Sequence, residues 1–284
     1  MRGPIFELLD VSYRYHAAIP AIEGINLSIQ AGESLAILGA NGSGKSSLLH
    51  VLDGLIFPSS GSITAFGEVL TEDKLETEMF RHFFRSRVGF VFQNPDIQLF
   101  CPKVYDEVAF GPLQLGLPAG EVTKRVDDVL EMLGITALKD RTPNQLSGGE
   151  KKRVAIASVL SVNPTVLLLD EPTSSLDLRT RRWLIGLIGE LRKTGKTIIT
   201  TTHDISLVKQ ISSRVIVLGE DHRLIADGAP SDIVTDHELL HRANIIHEHE
   251  TDTFGYSRES DDPPNGNKII AFPLTAGDKN NQRP

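Results

Sequence analysis

One stretch constrains the fold of this 284-residue chain more than any other: Gly39-Ala40-Asn41-Gly42-Ser43-Gly44-Lys45-Ser46. It fits the pattern G-x-x-x-x-G-K-[ST], and its flanks are the ones that pattern requires. Ser34–Leu38 (SLAIL) is a mostly apolar run that predicts a strand buried on both faces, and Lys45–Leu52 predicts a helix. A strand, a glycine-rich turn and a helix in that order make a nucleotide-binding α/β core. A glycine turn carrying a solvated lysine is the plainer alternative, and the two flanking elements argue against it.

The residue types explain why such a loop holds phosphate. Glycines let successive backbone N–H groups curl around an anion, and the following helix N-terminus adds its positive dipole end. Residues 39–47 therefore form the expected cradle, with Ala40, Asn41, Ser43 and Ser47 included by position. Lys45 supplies a point charge to the β and γ oxygens of a nucleoside triphosphate, and the Ser46 hydroxyl suits Mg²⁺.

Two further buried strands, Val166–Leu169 and Thr197–Thr202, flank a helical stretch at 179–193 and extend a parallel sheet over about residues 34–218. The opening third differs. Alternation in 6–13 (FELLDVSY) and 25–29 (INLSI) predicts short strands of an antiparallel layer. Between about 95 and 163 the pattern turns helical, notably at 121–133, where Val122, Val126, Val129, Leu130 and Leu133 recur at helix spacing. The expected fold is α/β: a mixed, mainly parallel sheet with an antiparallel β subdomain and an inserted helical subdomain. Together these make one domain over 1–250. The stretch 251–284, rich in Asp, Asn, Pro and Gly, is expected to be a flexible tail.

Composition narrows the partners. An apolar fraction of 40% supports a sizeable core. The net charge of −8 is dispersed and leaves no clustered basic face, so nucleic acid is not an expected partner. The single Cys101 forbids an intrachain disulfide and there is no zinc framework, in keeping with a reducing cytoplasm. No apolar run approaches the roughly 18 residues of a membrane span, and the start MRGPIFELLDVSYRY lacks the apolar core of a signal peptide. Any membrane role must be borrowed from another subunit.

Val166–Leu169 runs directly into Asp170 and Glu171. Two adjacent acids at the mouth of an apolar strand are poorly explained by packing, because charge at that place needs a partner. Asp170 suits a Mg²⁺ shell, and Glu171 suits a general base that polarises an attacking water. Acids that merely cap the turn before Pro172 are the plainer reading. Leu146-Ser147-Gly148-Gly149-Glu150 predicts a capping box, with Ser147 bonding the helix start and Glu150 reaching back. Such a start is also an anion site.

That pentapeptide resembles the LSGGQ signature of the ATP-binding cassette family, with Glu150 in place of the final glutamine. The resemblance covers about residues 5–235 and takes in seven motif positions in the family's order. It implies that ATP with Mg²⁺ sits on Gly39 to Ser46 of one subunit and is closed over by Ser147, Gly148 and Gly149 of another. Ser174-Ser175-Leu176-Asp177 is similar to the loop that crosses the dimer interface, which brings Asp177 to the nucleotide. Gln93, in VFQNP, resembles the glutamine that binds Mg²⁺ or its water and senses the γ-phosphate. His203, in TTHD, resembles the switch histidine that contacts that phosphate. Tyr15, in YRYH, stands where the family stacks an aromatic on adenine, with Tyr13 on the same strand face as its rival. The resemblance further implies a homodimer or a pairing with a similar ATPase, integral membrane transporter subunits as partners, and a peripheral place on the cytoplasmic face of the cell membrane.

Residues 93–100 (QNPDIQLF), 106–112 (DEVAFGP) and 146–157 (LSGGEKKRVAIA) are similar to the energy-coupling-factor branch, which includes cobalt and nickel importers. The Asp-Glu-Val segment is expected to face the partner's coupling helices. His237, His241, His247 and His249, with Glu238, Glu248 and Glu250 among them, offer donors that suit Ni²⁺, Co²⁺ or Zn²⁺. A polar amphipathic helix that closes the dimer explains them equally. Metal uptake is expected ahead of vitamin uptake. The rival class is a soluble cassette of DNA repair, chromosome or translation factors. About a hundred residues between Lys45 and Ser147 leave no place for long coiled coils, and a single cassette is not the translation type. A nucleotide sensor without turnover is disfavoured by the presence of both Glu171 and His203.

Overall fold

The computed structural model describes residues 3–246, so His247, Glu248, His249, Glu250 and the expected tail lie outside the described residues. Strands β1 (Phe6–Tyr15) and β2 (Ile19–Ile29) pair antiparallel. The alternation predicted for 6–13 holds only as far as Leu8: Phe6, Leu8 and Val11 are buried while Leu9 and Asp10 face out. The cause is a bulge. Asp10 takes φ 51°, the register shifts between Leu8 and Val11, and the Asn26 side chain accepts the Asp10 N–H at 3.0 Å.

Strand β3 (Ser34–Leu38) is buried at every residue and leads through the glycine loop into α1 (Lys45–Leu52). Strands β4 (Ser60–Ala65) and β5 (Glu68–Val69) complete a four-stranded antiparallel sheet in the order β2-β1-β4-β5. Helix α2 (Glu72–Glu76) starts on Thr71, whose side chain accepts from Lys74 N–H, and α3 (Glu78–Arg85) follows. Phe83 and Phe84 of α3 pack on Phe66 with ring centroids 5.8 and 6.4 Å apart, tying the helix to this sheet.

Strand β6 (Val88–Val91) then opens the region expected to be helical. There stand α4 (Pro95–Gln98), α5 (Val104–Gln114), α6 (Ala119–Met132) and α7 (Gly148–Leu160). The chain continues through β7 (Val166–Leu169), α8 (Leu178–Lys193), β8 (Thr197–Thr202), α9 (Ile205–Ile211) and β9 (Arg214–Leu218). It closes with β10 (Leu224–Gly228), α10 (Pro230–Thr235) and α11 (His237–Arg242).

The second sheet has six strands in the order β10-β9-β3-β8-β7-β6, parallel except for β10 against β9. Parallel strands end on one edge, so the segments leaving β3, β7 and β8 emerge side by side, where open α/β sheets bind ligands. The registers Leu38 with Thr202 and Leu169 with Thr200 leave β8 two residues longer than β7 at that edge. One apolar core, with Phe6, Ile22, Leu48 and Leu168, fills the space between the two sheets. Another, with Val108, Val126, Val154 and Leu187, seats the helices α5 to α8 on the opposite face.

Glu107, in the segment expected to face a partner, points inward instead. It is buried and accepts the N–H groups of Phe100 and Cys101 at 2.9 and 2.7 Å. The residues turned outward nearby are apolar: Ile97, Phe100, Phe110 and Leu113. His237 and His241 share α11, yet among the described residues no group of three or more His, Cys, Asp or Glu could hold a metal ion. Among those residues no helix is long and apolar enough to cross a membrane.

Candidate active site

The glycine loop is shaped by two close approaches. Gly44, the N-cap of α1, has φ 101°, and a Cβ there would come within 2.0 Å of the Ala21 carbonyl oxygen. A Cβ on Gly39 would stand 2.5 Å from Ser43 Oγ and 2.8 Å from the Leu218 carbonyl oxygen. No side chain caps α1 and no acid occupies its first turn. The first N–H groups of the helix are thus left to an outside acceptor. Ser43 Oγ is likewise buried with no hydrogen-bond partner.

Lys45 is folded back on the loop, its Nζ donating to the carbonyls of Gly39 and Ala40 at 2.9 Å each. The same Nζ stands 3.5 Å from Glu171 Oε1, an ion pair too long for a well-formed hydrogen bond. Burial lowers the Lys45 pKa, with Glu171 and then Asp170 opposing that shift. Ser46 Oγ donates to Asp170 Oδ1 at 2.9 Å, and Ser47 Oγ meets the Tyr15 hydroxyl at 3.1 Å. Tyr13 packs against the core while Tyr15, edge-on to it at 5.0 Å, remains 36% exposed. Tyr15 is therefore the tyrosine of the pair with a face left to offer.

Asp170 and Glu171 leave β7 buried, and Glu171 takes φ 39°, a backbone region that costs a non-glycine residue free energy. That turn sets the Glu171 carboxylate between Lys45 and His203: Oε2 lies 2.9 Å from His203 Nδ1, and Oε1 has no hydrogen bond. Gln93, two residues past β6, is exposed, and its Nε2 donates to Ser174 Oγ at 3.4 Å. Ser147 caps α7 in a full capping box, accepting Glu150 N–H at 3.3 Å while Glu150 Oε2 accepts Ser147 N–H at 2.8 Å. Those bonds hold the Glu150 carboxyl below the usual range. Gly149 passes so near α8 that a Cβ would meet Thr180 Oγ1 at 2.8 Å. Asp177 caps α8, accepting from the N–H groups of Arg179 and Thr180.

The expected site residues thus fall into three groups. Tyr15, the loop 39–47, Asp170, Glu171 and His203 stand together at the strand ends. Ser147, Gly148, Gly149 and Asp177 line a separate hollow at the starts of α7 and α8. Gln93 lines a third, with Gly148 and Ser174. Among the described residues no hydrogen bond joins 39–47 to 147–150. The loop's free N–H groups, the orphaned Ser43 hydroxyl and Lys45 fit a polyphosphate. The hard oxygens of Ser46 and Asp170 fit Mg²⁺.

Three side chains passed over in the sequence also converge here. Thr201 donates to Asp170 Oδ1 at 2.7 Å and accepts Glu171 N–H at 2.8 Å. Lys152, buried in α7, donates to the carbonyls of Phe92 and Gln93 at 2.9 and 3.2 Å. Arg181 of α8 pairs with Asp204, the residue after His203. Of the three only Thr201 left a signal: three threonines end a strand that is otherwise core.

Comparison with known proteins agrees with this geometry. A family model for ABC transporters matches residues 22–174. The nickel import ATP-binding protein NikO of Rhodobacter capsulatus is 47% identical over 246 residues, covering 86% of this chain and 96% of that protein. The energy-coupling factor transporter ATP-binding protein EcfA of Methanothermobacter thermautotrophicus is 44% identical over 241 residues, covering 85% of this chain and 76% of that one. The solved structure of cbiO1 from Clostridium perfringens, part of the ABC transporter complex cbiONQ, superposes with a TM-score of 0.73 at 40% identity, covering 86% of this chain and 95% of that one. With its phosphate cradle, paired acids and signature helix on a mixed α/β core, the chain belongs to the ATP-binding subunits of ABC transporters, which hydrolyse ATP to drive transport.

Proposed function

We propose that this chain energises an importer of the energy-coupling-factor type that takes up nickel or cobalt, working as a homodimer on the cytoplasmic face of the membrane. The observation that carries the catalytic half is the Glu171 carboxylate held between Lys45 and His203, with its Oε1 ion-paired to Lys45 but free of any hydrogen bond. ATP lies with its phosphates on residues 39–46 and its adenine against Tyr15. Lys45 gives up its two loop carbonyls for phosphate oxygens, and the uncapped N–H groups at the start of α1 face the same charge. Glu171 takes the proton of an attacking water while the oxygen of that water bonds to the γ-phosphorus and the bond to the β–γ bridging oxygen breaks. His203, already bonded to Glu171, holds that carboxylate in line and reaches the γ-phosphate. Mg²⁺ on Ser46 and Asp170, watched by Gln93, would neutralise charge developing on the phosphates.

The two-subunit reading is supported by the separation of the cradle from Ser147, Gly148, Gly149 and Asp177. A second copy supplies that hollow to the first copy's nucleotide, and each copy carries both halves. Residues 95–163 act as the helical subdomain that links this closure to the membrane subunits. Their exposed apolar residues Ile97, Phe100, Phe110 and Leu113 form the docking face. Nickel or cobalt as cargo is favoured by the likeness to a nickel import protein over 86% of this chain and 96% of that one.

Glu171→Gln tests the chemistry: it should still bind ATP, lose turnover by about 100-fold or more, and run as a dimer on sizing with ATP present. A fully active variant removes Glu171 from the general-base role. Cellular nickel and cobalt accumulation with and without the gene tests the cargo. Unchanged metal together with reduced vitamin uptake overturns the metal reading.

A further inference from the structure

The amide of Glu171 has left the sheet. One residue earlier, Asp170 N–H still bonds the Val91 carbonyl at 3.0 Å, the last rung between β7 and β6. At Glu171 the chain turns through φ 39°, and on the opposite side, toward β8, its N–H meets the side chain of Thr201 rather than a backbone carbonyl. This is possible because β8 outruns β7. Thr201 is 0% exposed, and its one hydroxyl is used twice: it accepts Glu171 N–H at 2.8 Å and donates to Asp170 Oδ1 at 2.7 Å. Both acids are thereby fixed by the same oxygen atom.

We infer that Thr201 is the positioning residue of this site: its hydroxyl sets the Asp170 carboxylate and the strained Glu171 peptide relative to each other. The inference rests on the proposed roles of those two acids. Asp170 Oδ1 has a second hydroxyl donor, Ser46 Oγ, but Ser46 is the group that engages an entering cation. Thr201 is sealed from solvent, behind the acids rather than in the cradle itself. Without it the Glu171 N–H is a buried donor with no acceptor. The φ 39° turn then loses the bond that offsets its strain. Removing an outer partner of a ligating carboxylate typically costs about 10- to 100-fold in metal affinity or activity.

The test uses the full chain with three substitutions, Thr201→Val, Thr201→Ala and Thr201→Ser. Valine keeps the shape and removes the hydroxyl, alanine guards against misfolding of the valine variant, and serine restores the hydroxyl alone. Turnover is measured against ATP and against Mg²⁺. Melting temperature is measured without nucleotide, with ATP in chelator, and with ATP and Mg²⁺.

The expected result for valine and alanine is a kcat lower by about 10- to 100-fold, with the KM for ATP within about 2-fold. Their melting shift with ATP in chelator should match the wild type, and the further shift on adding Mg²⁺ should shrink. Serine should recover turnover to within about 3-fold of wild type. The inference is overturned if either hydroxyl-free variant turns over like wild type, or if serine fares no better than alanine. A wild-type chain with no turnover would instead sink the functional reading on which this rests.

Discussion

Two glycine-rich helix starts serve this molecule, and they are built in opposite ways. Helix α1 begins at a left-handed glycine, with no side-chain cap and no acid in its first turn, over a buried Lys45. Helix α7 begins with a complete capping box, its own Glu150 carboxylate already bonded at the N-terminus. A helix start that leaves its N–H groups free binds an anion without help, whereas one that supplies its own acid has partly spent its dipole. On the proposed two-copy reading the difference amounts to a division of labour: α1 captures ATP alone, and the α7 start adds its share only once a second copy brings it to the bound phosphate.

Substitutions in these two helices test the contrast. Lys45→Met should do most damage, lowering ATP affinity by about 100-fold or more in isothermal titration, since charge-assisted bonds to phosphate go with it. Retention of near-normal affinity would show that the backbone cradle alone captures ATP. The far end of α1 should respond next. Its C-cap, Asp53, is buried beside Arg85, and burial pushes its pKa up to about 6 against the opposing Arg85 charge. A folded pKa above the ordinary 3.8 favours folding when Asp53 is protonated, so that contribution is present at low pH and lost as pH rises through about 6. Relative to Asp53→Asn, the wild type should lose about 2 to 3 kcal/mol between pH 4 and pH 7, measured by urea unfolding. A pH-independent difference would remove the buried acid from this account.

Ser147→Ala should cost about 1 kcal/mol of stability through the lost cap and weaken turnover more than ATP capture. Equal losses in both would place the α7 start in capture as well. The smallest effect belongs to Glu150→Gln, which keeps an acceptor but removes the charge at the start of α7. Its apparent affinity for ATP in turnover should improve by about 2- to 5-fold, with capture by the isolated subunit unchanged. A weakened variant would mean that the carboxylate itself, rather than only its acceptor oxygen, is needed there.

The α1 start was legible because its constraints are local: five buried strand residues, glycines at fixed offsets and a lysine are all read along the chain. The capping box at Ser147 was legible for the same reason. What escaped depends on residues distant in sequence. The alternation of β1 fails at Asp10 because Asn26 supports a bulge there. Thr201 gains its role from a register offset between β7 and β8 that no local pattern encodes. Glu107 looked like a surface acid and is buried, because two loop N–H groups before it needed an acceptor. Lys152 stood out from its neighbour Lys151 by no local pattern. Its neighbour Lys151 does reach the surface acid Asp96, while Lys152 is sunk against the carbonyls of Phe92 and Gln93.

Those last contacts have a mechanical consequence. Lys151 bonds Asp96, Lys152 bonds the carbonyls of Phe92 and Gln93, and Gln98 donates to Ala155 and Ser158, so α4 is riveted along two turns of α7. The rivets make loop and helix a single strut. Its 13 helical residues span roughly 20 Å at about 1.5 Å per residue, with Ser147 at its tip and the exposed Ile97 mounted on its flank. A push on that flank is passed through these bonds to the same helix that carries Ser147.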